Sequence, residues 1–319
     1  MTGRDFALVA PTLKRRPPPA YKPSVSSAFR IDGPTMLAVS FGRTSALMLW
    51  RYLDANNGEL PEETYAVFTN TGREMEATLR FGRELSTRWN VPIWWLERAP
   101  GPHEEWTMSE ERFRIVDFDT ASRNGEPFAQ IIAERGHLPT SASKYCTEEL
   151  KTRVSRNFMD ALGHREWTRA VGLRADERRR VSKMLATNAS ERWDVECPLA
   201  TAGVSKRDVM EFWAAQPFDL ALAGEWEGNC DGCFRKSRSK RRRMAEDHPG
   251  LISWWADMEA STAKTATTPG GARWRLDGPT FAEMLSDADA IRRGDRPRLP
   301  FEQDEDDEDS LPCGCEEAI

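Results

Sequence analysis

Hydrophobic positions along the chain alternate between short apolar runs and longer amphipathic stretches. Met36–Val39 has the pattern of a buried strand and ends at a turn containing glycine, and a helical pattern follows over Ser45–Leu53. The same succession returns with strands at 65–68, 93–96 and 167–173 and helices at 74–89, 143–162 and 205–213. This alternation predicts an α/β fold in which helices cover both faces of a mainly parallel sheet.

Composition divides the chain into four segments. Residues 1–30 are rich in proline and basic residues, which predicts an extended, poorly ordered arm. Residues 31–215 carry the strand–helix alternation, with an irregular polar stretch at 100–128. Residues 216–275 form a basic region rich in Cys and Trp, which we expect to be mostly helical. Residues 276–319 predict a helix and then an acidic tail with a Cys-Gly-Cys near its end.

The formal net charge of −6 conceals two opposed blocks. Seven of the nine residues in 235–243 are Lys or Arg, whereas all six residues in 304–309 are Asp or Glu. No apolar run approaches the roughly 20 residues of a membrane helix, and the N-terminus has no apolar signal core. We therefore expect a soluble, cytoplasmic enzyme without a membrane partner.

A candidate phosphate loop lies between the first strand and the first helix. Its residues are Ser40, Phe41, Gly42, Arg43, Thr44 and Ser45. Backbone N–H groups at a helix N-terminus, together with the helix dipole, suit an anion such as phosphate. The glycine permits close approach, the hydroxyls are further donors, and Arg43 adds charge. Many ordinary strand–helix turns also contain Gly and Ser, so the loop alone does not establish a site.

Four further segments follow this loop in a characteristic order. They are Thr69-Asn70-Thr71-Gly72 after the second strand, Lys144-Tyr145-Cys146-Thr147 with Lys151, Gly172-Leu173-Arg174-Ala175-Asp176-Glu177 after the fourth strand, and Gly228-Asn229-Cys230-Asp231-Gly232-Cys233-Phe234. Taken together, the five segments resemble the phosphoadenosine phosphosulfate (PAPS) reductase family, in particular its phage- and prophage-borne branch. The resemblance covers roughly residues 35–260 and places the chain in the wider PP-loop superfamily.

The resemblance implies a Rossmann-like, doubly wound, mainly parallel sheet that binds an adenine nucleotide, PAPS or ATP, at the carboxyl ends of its strands. The nucleotide contacts it implies are the loop 40–45, Asn70, Thr71, Gly72, Lys151, Gly172 and Arg174. Arg174 is expected to clamp phosphate or sulfate with its forked guanidinium, although it could instead form a surface ion pair with Asp176 or Glu177. Asn70 and Thr71 could equally form a turn that caps the next helix.

The loop departs from the ATP-splitting members of the superfamily at one position. Where those members carry an aspartate that helps to hold magnesium and pyrophosphate, this chain has Thr44. Its opening Ser-Phe-Gly is similar to sulfonucleotide reductases. Magnesium, if used, would need other carboxylates, and the candidates are Glu74, Glu76 and Asp176.

The chain contains six cysteines, and the spacing of Cys230 and Cys233 suits a shared metal ion or cluster, or a redox dithiol. The resemblance implies a [4Fe-4S] cluster on Cys146, Cys230 and Cys233, with Cys197 as the candidate fourth ligand and zinc as the rival occupant. With three ligands only, one iron would stay open to carry sulfide. The alternative is that Cys146 and Cys197 are ordinary buried thiols.

Cys313 and Cys315 lie in the acidic C-terminal segment. Sulfonucleotide reductases carry a nucleophilic cysteine on a mobile tail, although here Pro312 replaces the acidic residue of their motif. The resemblance thus implies that a tail thiol attacks sulfur and that a thioredoxin-like reductant resolves the product. The catalytic candidates are Cys313, Cys315 and Arg174. The alternative is an exposed pair that is inert or binds a metal.

The basic block 235–243 directly follows the C-x-x-C and could attract tRNA or DNA, with Trp226, Trp254 and Trp255 stacking on bases. An ordinary basic helix face and core tryptophans would give the same pattern. The first hypothesis is a PAPS reductase-like enzyme that reduces a sulfonucleotide. The alternatives are a nucleotide- and iron–sulfur-dependent sulfurtransferase that thiolates tRNA or DNA, and a non-catalytic nucleotide- or nucleic-acid-binding relative.

Overall fold

A six-stranded sheet forms the centre of the computed structural model, which describes residues 27–99, 112–140, 143–189, 191–228, 230–265, 272–275 and 278–301. The strands are β1 (Thr35–Ala38), β2 (Thr64–Thr69), β3 (Ile93–Arg98), β4 (Phe113–Val116), β5 (Thr168–Val171) and β6 (Asp194–Glu196). Every pairing in the sheet is parallel except that of β4 with β3.

Helices connect the strands and continue beyond them. They are α1 (Arg43–Ala55), α2 (Glu76–Trp89), α3 (Glu126–Arg135), α4 (Tyr145–Thr147), α5 (Arg153–Ala161), α6 (Arg178–Leu185), α7 (Pro198–Thr201), α8 (Lys206–Ala214), α9 (Arg238–Asp247), α10 (Pro249–Thr262) and α11 (Phe281–Arg292). A π-helical turn, Glu148–Thr152, joins α4 to α5. Within the described ranges, no helix has the length and apolar character needed to cross a bilayer.

The order of the strands in the sheet is β4-β3-β2-β1-β5-β6. The chain winds outward from β1 to β3 and then returns to the other side of β1 as β5. This reversal is the switch point of a doubly wound sheet, and ligands of such sheets bind at the carboxyl ends of the strands beside it. The predicted α/β fold is therefore confirmed, and the crevice lies between the ends of β1 and β5.

Both faces of the sheet are covered, as the apolar strand runs predict. Leu37 of β1 packs into a layer with α1, α2 and α8, and Met36 packs into the opposite layer with α5. The antiparallel edge strand β4 was not predicted, because the stretch 100–128 was interpreted as irregular. Its Ile115 is 43% exposed, so it lacks the apolar signal of the central strands.

A third apolar cluster joins α3 to the C-terminal helices. Trp274 is fully buried there between Phe234 and Trp255, and Phe281 of α11 belongs to the same cluster. Helix α11 packs on both α9 and α10. The helical C-terminal region is therefore confirmed, and residues on either side of the proposed division at 275/276 share one core.

Phe41 fixes the shape of the loop after β1. Its backbone is left-handed, with φ of 61°, and its buried ring stacks on Phe68 at 3.9 Å between ring centroids. Gly82 of α2 also faces this ring, and a Cβ added at Gly82 would overlap the ring atoms. Only glycine therefore leaves space for Phe41 at this point of the helix.

We expect Gly82→Ala to lower the free energy of unfolding by about 1–3 kcal/mol, because the ring of Phe41 is wedged against Phe68 and Trp95 and cannot move aside. The packing cost must exceed the stability that alanine would otherwise add, because alanine is a better helix former than glycine. Gly250→Ala in α10 is the matched control, since its Cβ would meet open space. Urea unfolding measures both, and equal stability of the two variants would contradict the packing argument.

Glu259 of α10 accepts a hydrogen bond from the backbone N–H of Phe281 at 2.8 Å and is 7% exposed. Burial raises the pKa of this carboxyl from 4.5 to about 7. The folded state then binds more protons than the unfolded state between these two values, so stability falls as pH rises through that window and levels off above it.

Glu259→Gln should remove this pH dependence, because the amide oxygen still accepts the hydrogen bond but carries no charge. Relative to the original protein, we expect the variant to gain up to about 3 kcal/mol at pH 8 and almost nothing at pH 5. Chemical unfolding at the two pH values measures the difference. A variant destabilised equally at both would show that the carboxylate is the favoured form.

Candidate functional site

The loop 40–45 is held closed by its own serines. The backbone N–H of Ser40 donates to Oγ of Ser45 at 3.2 Å, and that hydroxyl donates to the carbonyl of Gly42 at 3.2 Å. Gly42 is the N-cap of α1, and because it has no side chain it does not cap the helix with a side-chain hydrogen bond. Helix α1 thus begins close after the end of β1, where an anion site at the strand ends would need the N-terminus of a helix.

Arg43 contacts a different part of the chain. Its guanidinium forms a forked pair with Asp219, with Nε–Oδ1 at 2.7 Å and Nη2–Oδ2 at 2.9 Å, and also donates to the carbonyl of Leu220. The indole of Trp213 donates to the carbonyl of Arg43 at 2.8 Å. Its side chain thus anchors the loop to the segment after α8.

Arg174 lies at the loop, on the neighbouring strand end. Its Nη1 donates to Oγ1 of Thr44 at 3.4 Å, while Nε donates to Asp176 at 3.0 Å. A second carboxylate, Glu177, lies 3.5 Å from Nη2. The ion pairs that were the alternative for Arg174 are therefore present, and they orient the guanidinium against the loop. Gly172 permits this approach, since a Cβ there would lie 3.0 Å from Cα of Ser45.

Asn70 is fully buried and supports the loop after β2. Its Nδ2 donates to Glu97 at 2.5 Å and to the carbonyl of Ser122 at 2.9 Å, and its Oδ1 accepts the N–H of Gly72. Glu97 also accepts two bonds from Arg114. Asn70 therefore has the turn-forming role that was left open, and its amide is engaged by protein groups.

Thr71 and Glu74 form a compact polar unit beside Asn70. The N–H and the hydroxyl of Thr71 donate to the two oxygens of Glu74 at 3.0 and 2.9 Å, and Oγ1 of Thr71 lies 3.5 Å from Sγ of Cys230. Burial raises the pKa of Glu74, and the nearby charge of Lys151 opposes that rise. The contact of Thr71 with Cys230 links the end of β2 to the turn that carries Cys230 and Cys233.

Three cysteines that are distant in sequence line one narrow cavity. Cys146, Cys230 and Cys233 surround it together with Thr71 and Lys151. The remaining walls are apolar and consist of Phe128, Leu150, Phe234 and Trp255. The π-helical turn that carries Lys151 belongs to a class of local geometry that recurs at functional sites.

Cys197 lies elsewhere. It is buried with Trp193 and Val195 in the cluster on the opposite face of the sheet, where α5 packs. The structure thus brings together three of the four predicted metal ligands and separates the fourth from them. None of the four described cysteines forms a disulfide. Among the described residues, no three His, Cys, Asp or Glu side chains are arranged as a preformed metal site, so the thiolates would have to converge on any group that binds.

A buried ion pair that the sequence patterns did not predict joins the C-x-x-C turn to the loop after β2. Arg73, after Gly72, pairs with Asp231 between the two cysteines of the C-x-x-C, with Nη2–Oδ2 at 2.5 Å and both side chains at most 4% exposed. The carbonyl of Arg73 also accepts the N–H of Asp231 at 2.8 Å. Trp255 donates to the same carboxylate at 2.6 Å. In the sequence, Arg73 and Asp231 stand out only because Arg73 directly follows the Thr69–Gly72 motif and Asp231 lies within the C-x-x-C.

Lys236 places a buried ammonium beside the thiols. Its Nζ donates to the carbonyls of Trp226 at 2.5 Å and Asp231 at 2.9 Å. Burial lowers the pKa of Lys236 to about 8, although Cys233, Asp231 and Cys230 act in the opposite direction. Cations near a cysteine favour the thiolate, which is both the nucleophile and the metal ligand.

The basic block is mostly inside the protein. Arg235, Lys236, Lys240 and Arg241 are each at most 7% exposed. Arg243 lies over the ring of Trp226, and Trp255 is 1% exposed. Trp254 is covered by Arg73 at 4.8 Å. The expected exposed strip of cations with stacking tryptophans is therefore absent from the described part of this region.

The three carboxylates that are candidates for binding magnesium have different contacts in the structure. Glu74 lies at the site, Glu76 pairs with Arg123 at 2.8 Å, and Asp176 pairs with Arg174. Cys313 and Cys315 lie outside the described residues, as does the basic arm up to residue 26.

Comparison with known proteins gives one informative relative. No protein-family model matches the sequence. The chain is similar to the uncharacterised nin region protein ORF290 of Escherichia phage lambda, with 30% identity over 217 residues. The aligned part is 68% of this chain and 71% of the phage protein.

Proposed function

Since the chain belongs to the family of the nin region protein ORF290 of Escherichia phage lambda, we propose an activity for it from its own site: it is a cytoplasmic, PAPS reductase-like enzyme that binds an adenine nucleotide and reduces its sulfo group. One observation carries the proposal. Three thiols from distant segments meet at one cavity whose wall includes Thr71, a residue of the strand-end loop beside the phosphate loop.

The nucleotide would bind across the switch point of the sheet. Its phosphates fit the N-terminus of α1, where Ser40, Thr44 and Ser45 offer hydroxyls and Arg174 offers a guanidinium. Arg174 already touches Thr44, so the clamp is formed before the ligand arrives. This position lets the sulfo group extend toward the end of β2 and the cysteine cavity.

Cys146, Cys230 and Cys233 are the residues that would hold a [4Fe-4S] cluster. The cavity fits the cluster because thiolates are the ligands that such clusters take. The half-buried Lys151 and the buried Lys236 would offset the negative charge of the thiolates. When bound, the cluster would supply an electron-transfer centre next to the nucleotide. Zinc stays the rival occupant of the same thiols.

The chain itself would supply the nucleophile. Phe301, the last described residue, packs on Trp226 at 5.0 Å between ring centroids, and the carbonyl of Trp226 accepts the bond from Lys236. Cys313 follows Phe301 by 12 residues, which can span at most about 40 Å when extended. A tail thiol can therefore reach the cavity from where the described chain ends.

The proposed reaction has two steps. The thiolate of Cys313 or Cys315 attacks the sulfur of PAPS, so that an S–S bond forms, the S–O bond to phosphate breaks and adenosine 3′,5′-bisphosphate leaves. A dithiol reductant of the thioredoxin class then attacks the cysteine sulfur of the thiosulfonate. Sulfite leaves with the electron pair, and the mixed disulfide is resolved by the second thiol of the reductant. Arg174 holds the phosphate that leaves.

A second candidate is nucleotide-dependent sulfur transfer. The observation that favours it is that three cysteines, rather than four, line the cavity. Three ligands would leave one iron of a cluster free to carry sulfide. The burial of the basic block gives this candidate less support when the acceptor is tRNA or DNA.

The test compares products. Protein purified without oxygen is given PAPS with thioredoxin, and separately ATP with sulfide and RNA or DNA. We expect sulfite from the first mixture and its loss in the Cys313→Ser/Cys315→Ser double variant. Arg174→Ala should weaken nucleotide binding by about 10–100-fold, whereas Arg178→Ala, at an exposed position of α6, should not. AMP or pyrophosphate from the second mixture, without sulfite from the first, would select sulfur transfer instead.

A further inference from the structure

Arg235 is a cation that is buried without a hydrogen-bond partner among the described residues. It follows the C-x-x-C by two positions and is 7% exposed. Its Nε, Nη1 and Nη2 are all buried, and none of the three has a hydrogen-bond partner within the structure. Burying a charge without a partner is costly, and proteins tolerate it where another group completes the site.

The neighbours of Arg235 along the chain are cations and a helix start. Lys236 and Lys240 are both 6% exposed, and α9 begins at Arg238. Ser237 caps that helix by accepting the N–H of Lys240 at 3.3 Å, and further N–H groups of the first turn are left without an intrahelical partner, as at every helix start. The nearest carboxylate in sequence, Asp231, is engaged by Arg73, Trp255 and Gly232.

We propose that Arg235 and the N-terminus of α9 bind a tetrahedral oxyanion of the phosphate, sulfate and sulfite class. A guanidinium fork matches two oxygens of such an ion, and a helix N-terminus favours the same charge. The residues of this site belong to the helical C-terminal region, whereas the phosphate loop follows β1. The oxyanion is a free ion or the terminal group of a nucleotide.

This inference rests on the proposed function only for the nucleotide source of the oxyanion. A buried guanidinium of this kind makes an unusual prediction about stability. Without the anion, replacing Arg235 by a residue of similar length and no charge removes an uncompensated cost. With the anion, the same replacement removes the ligand's partner.

The experiment is thermal unfolding of the original chain, Arg235→Met and the control Arg238→Met, whose arginine is exposed. Each is measured in chloride buffer and at matched ionic strength with inorganic phosphate, with sulfate, and with adenosine 3′,5′-bisphosphate. We expect a saturable rise in Tm for the original chain and for Arg238→Met. In the Arg174→Ala background, which weakens anion binding at the phosphate loop, Arg235→Met should start from a higher Tm in chloride and lose the rise.

Response to the inorganic ions assigns a free ion, and response to the bisphosphate alone assigns a nucleotide, and both support the site. A lower Tm for Arg235→Met in chloride, or an anion response equal to that of the original chain, would overturn it. Arg174→Ala separates the two proposals. It should lose nucleotide binding at the sheet edge and keep the response to inorganic oxyanions, even if the reductase proposal fails.

Discussion

Asp231→Ala is expected to lower the free energy of unfolding by about 3–5 kcal/mol, the largest effect of any single change considered. The substitution leaves the guanidinium of Arg73, 4% exposed at its side chain, without its carboxylate. It also removes the acceptor of the Trp255 indole and of the N–H of Gly232. Equilibrium unfolding in urea measures the loss.

A double variant tests whether the loss comes from the ion pair. Arg73→Met combined with Asp231→Leu replaces the pair with apolar side chains and should recover a large part of the loss, because no charge stays buried alone. Asp219→Ala is the matched control, since its pair with Arg43 is 42% exposed on the aspartate side and should cost about 1 kcal/mol or less. Equal losses of stability for Asp231→Ala and Asp219→Ala would contradict the proposed stabilisation by the buried Arg73–Asp231 pair.

Cys146→Ser is expected to remove most of the iron from protein purified without oxygen, whereas Cys197→Ser should keep it. Cys146 shares a cavity with Cys230 and Cys233, and Cys197 is buried in the layer on the other face of the sheet. A serine hydroxyl is a poor substitute for a thiolate ligand of iron. Iron and sulfide analysis, with visible absorbance, compares the two variants.

Both cysteines are buried, so the pair also controls for folding. Cys197→Ser introduces a hydroxyl into an apolar layer and should cost stability without a loss of iron. If Cys197→Ser loses iron as Cys146→Ser does, while both fold, then four cysteines act together and the three-thiol description is wrong.

The central strands were predictable because their apolar runs are continuous and lie between turn residues. Met36–Val39 and Ile93–Leu96 were each placed within a residue or two of the observed strands. Strand β4 was not, since Arg114 and Ile115 face solvent at the edge of the sheet. A short exposed edge strand has neither the length nor the periodicity that marks a strand in sequence.

The resemblance to a known family implied which three cysteines would meet, and these line one cavity, but it did not give the contacts of the other candidate residues. Motif order correctly brought Cys146 to the C-x-x-C, a long-range contact that local patterns do not contain. The same order implied Cys197 as a candidate, and the structure places it on the opposite face of the sheet. For Arg43 the sequence showed a cation in a phosphate loop and could not show Asp219, which is 176 residues away.

Burial of charge was the feature least visible in sequence. The run 235–243 has the composition of an exposed basic strip, yet Lys236, Lys240 and Arg241 lie inside the C-terminal helical region. Their burial depends on tertiary partners such as the carbonyls of Trp226 and Asp231, which a composition count does not reveal. The Arg73–Asp231 pair was missed for the same reason.

We propose that the cavity lined by Cys146, Cys230 and Cys233 is a metal-binding centre beside the loops that would hold the nucleotide. Its most direct test is analysis of the full chain, purified without oxygen, for iron, acid-labile sulfide and zinc, with its visible spectrum. We expect bound iron and sulfide in equal amounts and a coloured protein. A folded, colourless protein that contains neither iron nor zinc would contradict it.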